Sequence, residues 1–556
     1  MALTGRMTTT DAPAAALPGV PDHADVIIVG AGITGLSTAI MLRDAGRRVI
    51  VLEQDVPGAL ASGRNTGKAS LLQGTRLSTI RRHHPAALVR AYAQANRAGQ
   101  DWLRRACERA GVGFREATAY SYAQSVDGLD AVDAEVRAGR EAGLPVRRVR
   151  DVADDVPFPL AGAAALDGQL ALDPAELMRG LAELFVASGG DLVTGIRVLG
   201  VRATDPVRVR TSAGVFTAGS VVIATGTPIL DRGLYWAKAS GVRSMLVSFE
   251  LPSAGPAGSR GGGTGLPDGL YLSVDDPSRS IRSADWGGRT RLIVGGGDHP
   301  TGRADTAELL DEILDWTRAW WPEAGDPDHW AAQDYHSLNT VPFVGRMPRG
   351  RGRVWFGTGY GKWGLTNGVA AGIRISHEIL GARRPDWART IGTRLTRPAD
   401  VANGAVAGIR TGVAAVQGWV GALRSPEAEI APTPTEGAGG IARRGLRPVG
   451  ISTVGGDTCE VSAVCPHLGG VLNWNAAEST WDCPLHASRF DHRGRRIEGP
   501  AVADLARADA APLEVVLRAA RSSATAERDA GVEEPAAVGG EAAPGPTATR
   551  SATTSG

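Results

Sequence analysis

Residues 24–30, ADVIIVG, hold an unbroken aliphatic run between Asp25 and Gly30. A run this short predicts a strand buried on both faces. From 33 to 46 the apolar residues return at helical spacing, and Gly46 marks the stop. RRVIVLE (47–53) reads as a second buried strand, so the chain opens on a β-α-β unit. Alternating strand and helix patterns continue to about residue 390. AGSVVIATG (218–226) and TRLIVGGG (290–297) predict two further buried strands that end in glycine. RVWFGTGYGKWGLTNG (353–368) predicts a strand, a glycine-rich loop and a helix reaching residue 380.

The periodicity fades in three places. The leader 1–23, rich in Ala, Thr and Pro, and the tail 518–556, rich in Ala, Gly, Glu, Thr and Pro, are expected to be disordered. Residues 391–440 are expected to be a helical connector and linker. Within them 405–423 reads as a packed or surface helix, because Arg410 and Gln417 interrupt a stretch near the minimum spanning length. EAEIAPTPTEGAGG (427–440) has linker composition. Short strands and turns over 441–510 predict a small β-rich domain.

Composition narrows the class. A chain of 556 residues holds two or three domains. Lys and Arg number 60 against 59 Asp and Glu, so no basic excess points to nucleic acid or an anionic membrane. The 74 glycines follow no G-X-Y period, which leaves tight turns and close backbone approach to ligands as their explanation. Cys107, Cys459, Cys465 and Cys483 are too few for a disulfide scaffold, and a reducing, cytoplasmic setting is expected. The first residues show neither a secretory nor a twin-arginine pattern.

The first chemical motif is G-x-G-x-x-G at Gly30, Gly32 and Gly35. Gly30 permits a tight turn, Gly32 lets backbone approach a pyrophosphate, and Gly35 lets helix pack on strand. The following helix start, Ile33 and Thr34, offers free N–H groups to phosphates. Glu53 ends the second strand, placed to accept from an adenosine ribose. This opening, Ala224-Thr225-Gly226 and TGYGKWGLTNG (358–368) together resemble the FAD-dependent oxidoreductases of the D-amino-acid oxidase-like family, over roughly 24–385. The resemblance implies an FAD-binding Rossmann-like domain (24–390) with an inserted α+β substrate domain. It implies that Val198 meets the adenine and that 62–68, with Arg64, Thr66 and Gly67, passes the pyrophosphate and ring. It also implies that Gly361, Lys362, Gly364 and Thr366 face the flavin from a helix N-terminus. Flavin tethers in that family use Cys or His; the flavin loops hold no Cys and the 62–70 stretch no His, so the FAD is expected to be non-covalent. The chain has three lysines, Lys68, Lys238 and Lys362, and two fall in the flavin loops. Lys68 or Lys362 is expected to put positive charge near the flavin.

The second motif is Cys465-x-His467, then Cys483-x-x-His486. A [2Fe–2S] cluster with two thiolates on one iron and two imidazoles on the other needs this set. Zinc also accepts Cys2His2 ligation, but zinc fingers pair like with like. The segment 440–510 resembles a small all-β Rieske domain. High-potential members carry a bridging cysteine in each loop; Gly470 and Leu485 stand at those places here. Phe490 replaces a hydroxylated aromatic, leaving Ser488 as a donor. A potential low in the Rieske range is therefore expected.

Together the motifs suggest hydride transfer from an amine, amino acid or hydroxy acid to flavin, with electrons passed singly to the cluster and on to an external protein. Flow in the opposite direction, a non-catalytic relay and a zinc-bearing module remain alternatives. The late loop lacks the basic residue that holds a substrate carboxylate in family amine oxidases, which puts an amino acid in doubt. Arg282, His299, Tyr335 and His336 are candidates for substrate binding or proton transfer, His336 being set with Lys68 and Lys362 as catalytic.

Overall fold

The computed structural model describes residues 7–8, 20–150, 156–251, 267–286, 289–392 and 398–508. Within the leader 1–23, expected to be disordered, Met7–Thr8 pairs in parallel with Leu192–Val193 and the first strand already starts at His23, so these residues are ordered by sheet pairing; the rest of the leader before residue 20 and the tail 518–556 lie outside the described residues.

The opening aliphatic run is the strand His23–Val29, central in a sheet whose parallel members are Met7–Thr8, Asp191–Val193, Val49–Leu52, His23–Val29, Gly214–Ile223 and Val354–Thr358, in that order. All four residues of Val49–Leu52 are buried, as expected of a strand covered on both faces. The helix Ile33–Asp44 follows the first strand and stops before Gly46, whose φ of 78° needs no Cβ. The late helix, Gly364–Ile379, packs against Ile33–Asp44 and against the long helix Ala86–Ala110.

A second mixed sheet stands beside the first. It includes Ala239–Glu250, Arg289–Pro300, Ser280–Trp286, Phe114–Ala123 and Gly162–Leu172. The run 290–297 belongs here, antiparallel to 239–250. Arg282 and His299 sit on these strands, and Tyr335 and His336 on the strand Asp328–Ser337.

The carboxyl-terminal module has two small antiparallel sheets, of three and four strands among the described residues. The helix Pro398–Arg424 leads into it, and Trp419 donates to Gly469 O at 3.0 Å. No helix among the described residues is long and apolar enough to cross a membrane. The stretch 427–438 is irregular but tied down. Ala428 is buried against Val449, and the Glu436 carboxylate accepts from the Gly455 and Gly456 amides. Its Pro and Gly content marks absence of regular structure, not freedom.

Candidate functional site

A long cavity runs past the carboxyl ends of the parallel strands and under the second sheet. Its wall holds Gly30, Gly32, Ile33, Thr34, Glu53, Thr66, Val198, Ala224, Thr225, Gly226, Lys362 and Gly364 of the expected cofactor set, with Lys68. Gly30 has φ 101°, and a Cβ there would stand 2.6 Å from Ala224 O. Gly35 lies outside the wall; a Cβ on it would stand 1.9 Å from Gly30 O, so it serves helix–strand contact. The Ile33 amide at the helix start reaches Ser62 Oγ at 3.0 Å. Glu53 accepts from the Ala31 amide at 2.7 Å and the Asp55 amide at 3.0 Å, and burial nevertheless pushes its carboxyl upward. A cradle of bare backbone, a helix N-terminus and a strand-end acid fits a dinucleotide.

At the other end stand the two lysines. Lys68 Nζ donates to Tyr271 O and Ser280 Oγ, both at 2.7 Å. Burial, then Arg282 and Lys362, hold its ammonium well below the usual lysine range. Lys362 has φ 72° in the late loop; its amide donates to Asp334 and its ammonium pairs with Asp298. Burial alone would raise Asp298, but Lys362 and the Ser244 hydroxyl overcome it and keep the carboxyl low. Tyr360 shares a hydrogen bond of 2.8 Å with Thr34, joining the late loop to the first.

Several expected residues lie behind the wall. Thr366 is buried in a network and donates to Asn96 Oδ1 at 2.6 Å. The carbonyl of Gly361 accepts from Arg76, and Gly67 packs so closely that a Cβ would meet Leu172 O at 1.9 Å. Arg64 is exposed, and its carbonyl accepts from Trp330. His336 also falls outside the wall. Burial, Arg76 and Lys362 push it down to about 3, so it is a neutral imidazole packed behind the late loop rather than an acid facing the cavity. Arg282 is spent on the carbonyls of Gly67 and Leu172, and buried His299 donates to Gly297 O.

Cys465, His467, Cys483 and His486 come together on two facing loops. The His467 and His486 rings are 5.2 Å apart at 88°. The Cys465 thiol donates to Cys483, which lowers Cys483 and raises itself. Both Nδ1 atoms are buried without hydrogen-bond partners, and burial holds His486 neutral, down to about 3. Two thiols in one pair and two unpartnered imidazole nitrogens in another fit a two-iron cluster. A Cβ on Gly470 would meet Leu485 at 2.7 Å, so these two positions do face each other, without sulfur. Ser488 bonds toward Cys465, and buried Phe490 packs among the thiols. Cys107 is buried, which pushes its thiol up to about 11, whereas Cys459 is only half-buried.

The two sites share one interface, which the sequence reading did not anticipate. Trp236 stands edge-on to His467 at 5.5 Å and to His486 at 4.5 Å. Tyr335 lines the cavity and donates to Glu498 at 3.1 Å. Gln333 donates to Ala487 O at 2.9 Å, tying the second cluster loop to the second sheet. Arg243 pairs with Glu478, while Arg489 pairs with Asp482 at 3.1 Å. Arg496, Ile497, Glu498 and Gly499 of the carboxyl-terminal module line the same cavity as Gly30.

Family comparison matches residues 25–377 to the model described as FAD dependent oxidoreductase, and 444–509 to the Rieske [2Fe-2S] domain. The chain is 26% identical over 523 residues to YhfW of Bacillus subtilis (strain 168), named as a Rieske 2Fe-2S iron-sulfur protein, covering 90% of this chain and 96% of that one. A 49-residue stretch is 49% identical to the chloroplastic cytochrome b6-f complex iron-sulfur subunit of Oryza sativa subsp. japonica, covering 9% of this chain and 22% of that protein. Glycine oxidase from Geobacillus kaustophilus shares the fold, with a TM-score of 0.54 at 19% identity over 65% of this chain and 95% of its own.

Proposed function

The chain belongs to the FAD-dependent oxidoreductase family and ends in a Rieske [2Fe–2S] domain, and from that premise we propose that it oxidises a small organic molecule at the cavity and exchanges the electrons with the cluster inside the same chain. The substrate class is an amine, amino acid or hydroxy acid. When bound, FAD would supply a hydride acceptor, and a cluster held by Cys465, His467, Cys483 and His486 would supply a one-electron carrier. One observation carries the reading: the wall of the flavin cavity is built from both modules, and Trp236 of the flavoprotein part packs on both cluster histidines.

The chain's own groups have distinct tasks. The N-terminus of Gly364–Ile379 reaches the cavity through Gly364 and Leu365, where its positive dipole end favours negative charge on a bound ring. Lys362 adds a cation, tempered by Asp298. Lys68, its ammonium destabilised by burial, is placed to take a proton from a bound substrate. Buried Tyr335 and half-buried Trp236 stand between the two sites. An external redox protein completes the cycle, and a chain with four cysteines, two of them cluster ligands, suits a reducing, cytoplasmic setting.

Anaerobic mixing of the full-length holoprotein with amines, amino acids and hydroxy acids tests this. One class should bleach the flavin absorbance, followed by the EPR signal of the reduced cluster. Bleaching by none of them, with flavin reduced only through the cluster, would replace the enzyme by a relay.

A further inference from the structure

The iron–sulfur module does more than sit beside the flavoprotein. Its strand Arg496–Glu498 runs along the cavity that holds the glycine cradle. Arg496 lies at the Glu53 end: its guanidinium donates to Gln54 Oε1, and Gln54 returns a bond of 2.8 Å to Ile497 O. The strand is pinned from outside, where the Arg496 amide reaches Asp504 at 2.8 Å and Asp504 pairs with Arg197 at 2.6 Å. Arg496 Nε is buried and has no partner. Burial and Arg197 lower its pKa to about 10, which leaves it cationic at neutral pH. A half-buried cation with a buried, idle Nε donor is costly unless an acceptor arrives. The adenosine half of FAD carries ribose hydroxyls and an anionic diphosphate, and Glu53 marks where it lies.

We propose that the Rieske module is part of the FAD site, with Arg496 as a cofactor-binding residue for the adenosine diphosphate half. The proposal rests on the FAD reading of the cavity. A ligand that touches both modules stabilises their docking, and by linkage undocking weakens the ligand. FAD retention and the seating of the cluster module are thus one equilibrium.

The test measures FAD affinity by the fluorescence of flavin released on dilution of the full-length holoprotein, with the cluster followed by its visible absorbance and EPR. Arg496→Met should weaken FAD at least tenfold with the cluster spectrum unchanged, and Arg496→Lys should recover part of the loss. Gly241 is outside the cavity, and a Cβ on it would stand 2.2 Å from Ala487 Cβ across the module interface. Gly241→Leu should therefore wedge the modules apart and weaken FAD several-fold, a readout available even where an Arg496 variant folds poorly. An FAD dissociation constant within twofold of wild type in R496M and in G241L, with cluster intact, overturns the proposal. A wild-type chain that retains no FAD would instead remove the flavoprotein reading on which it stands.

Discussion

Lys362 concentrates the residue-scale chemistry. It adopts a left-handed φ that a lysine does not favour, and two carboxylates hold it there, Asp334 at the amide and Asp298 at the ammonium. The cost of that conformation is on the order of 1 kcal/mol, which a single charge-assisted hydrogen bond offsets. A cation at this place should stabilise reduced flavin by about 1–2 kcal/mol. Lys362→Met should then lower the flavin midpoint by roughly 20–40 mV, because 1.4 kcal/mol is about 30 mV for a two-electron couple. Asp298→Asn should move it the other way. Spectroelectrochemical titration of both variants reads the pair, and an unmoved midpoint in each would detach the lysine from the flavin. The sequence showed this residue through scarcity, three lysines against an arginine background. It hid Asp298 and Asp334, which lie on strands of the second sheet with no motif around them. It misplaced His336, because a histidine's value depends on what buries it: Arg76 and Lys362 stand beside this one.

At the scale of single elements, the strand Arg496–Glu498 is the piece that joins the modules. Glu498 faces Tyr335 from the flavoprotein side and Arg243, Arg489 and Asp482 from around it. Burial is the largest influence on it and, against the two arginines, pushes it up to about 6 from 4.5. The folded protein thus binds a proton the unfolded chain gives up. Stability from this group is full below pH 4.5 and is lost as pH rises through about 6, a change of about 2 kcal/mol. Glu498→Gln should flatten the fall in melting temperature across that window; a slope equal to wild type would place the titrating group elsewhere. Phe490, on the strand Arg489–Asp491 between Thr480–Asp482 and Arg496–Glu498, offers a second element-scale test. A hydroxyl added there, Phe490→Tyr, gives the thiols a donor worth about 1 kcal/mol, or roughly 40 mV for one electron. Protein-film voltammetry should show the cluster midpoint rise by that order. The strands carrying both residues are three residues long, too short for any period to announce, whereas the ligand pairs two loops away are spelled out by spacing alone.

For the whole molecule, the decisive contacts join residues far apart in the chain, from 154 positions between Gln333 and Ala487 to 443 between Gln54 and Ile497, and no local pattern encodes such a pairing. Each module could be named from its own motif, yet their docking could not. The docking surface is also unusual in being ionic at its centre: Arg243, Glu478, Arg489 and Asp482 are buried together. Removing one partner from such a set costs about 3–5 kcal/mol, because the others remain charged and dry. That favours one fixed arrangement of the modules over a tethered, swinging one. A fixed arrangement has a kinetic consequence. Electrons moving between flavin and cluster within one chain give a first-order rate that does not change with protein concentration. In stopped-flow mixing with a reducing substrate, the rate of cluster reduction after flavin bleaching should stay constant across a tenfold range of protein. Arg243→Met should slow that phase while leaving flavin bleaching nearly as fast in protein kept saturated with FAD, since Arg243 pairs with the cluster module and does not itself line the cavity. A rate that scales with protein concentration would mean that the electrons leave one chain and enter another, and the shared wall of the cavity would then serve FAD retention alone.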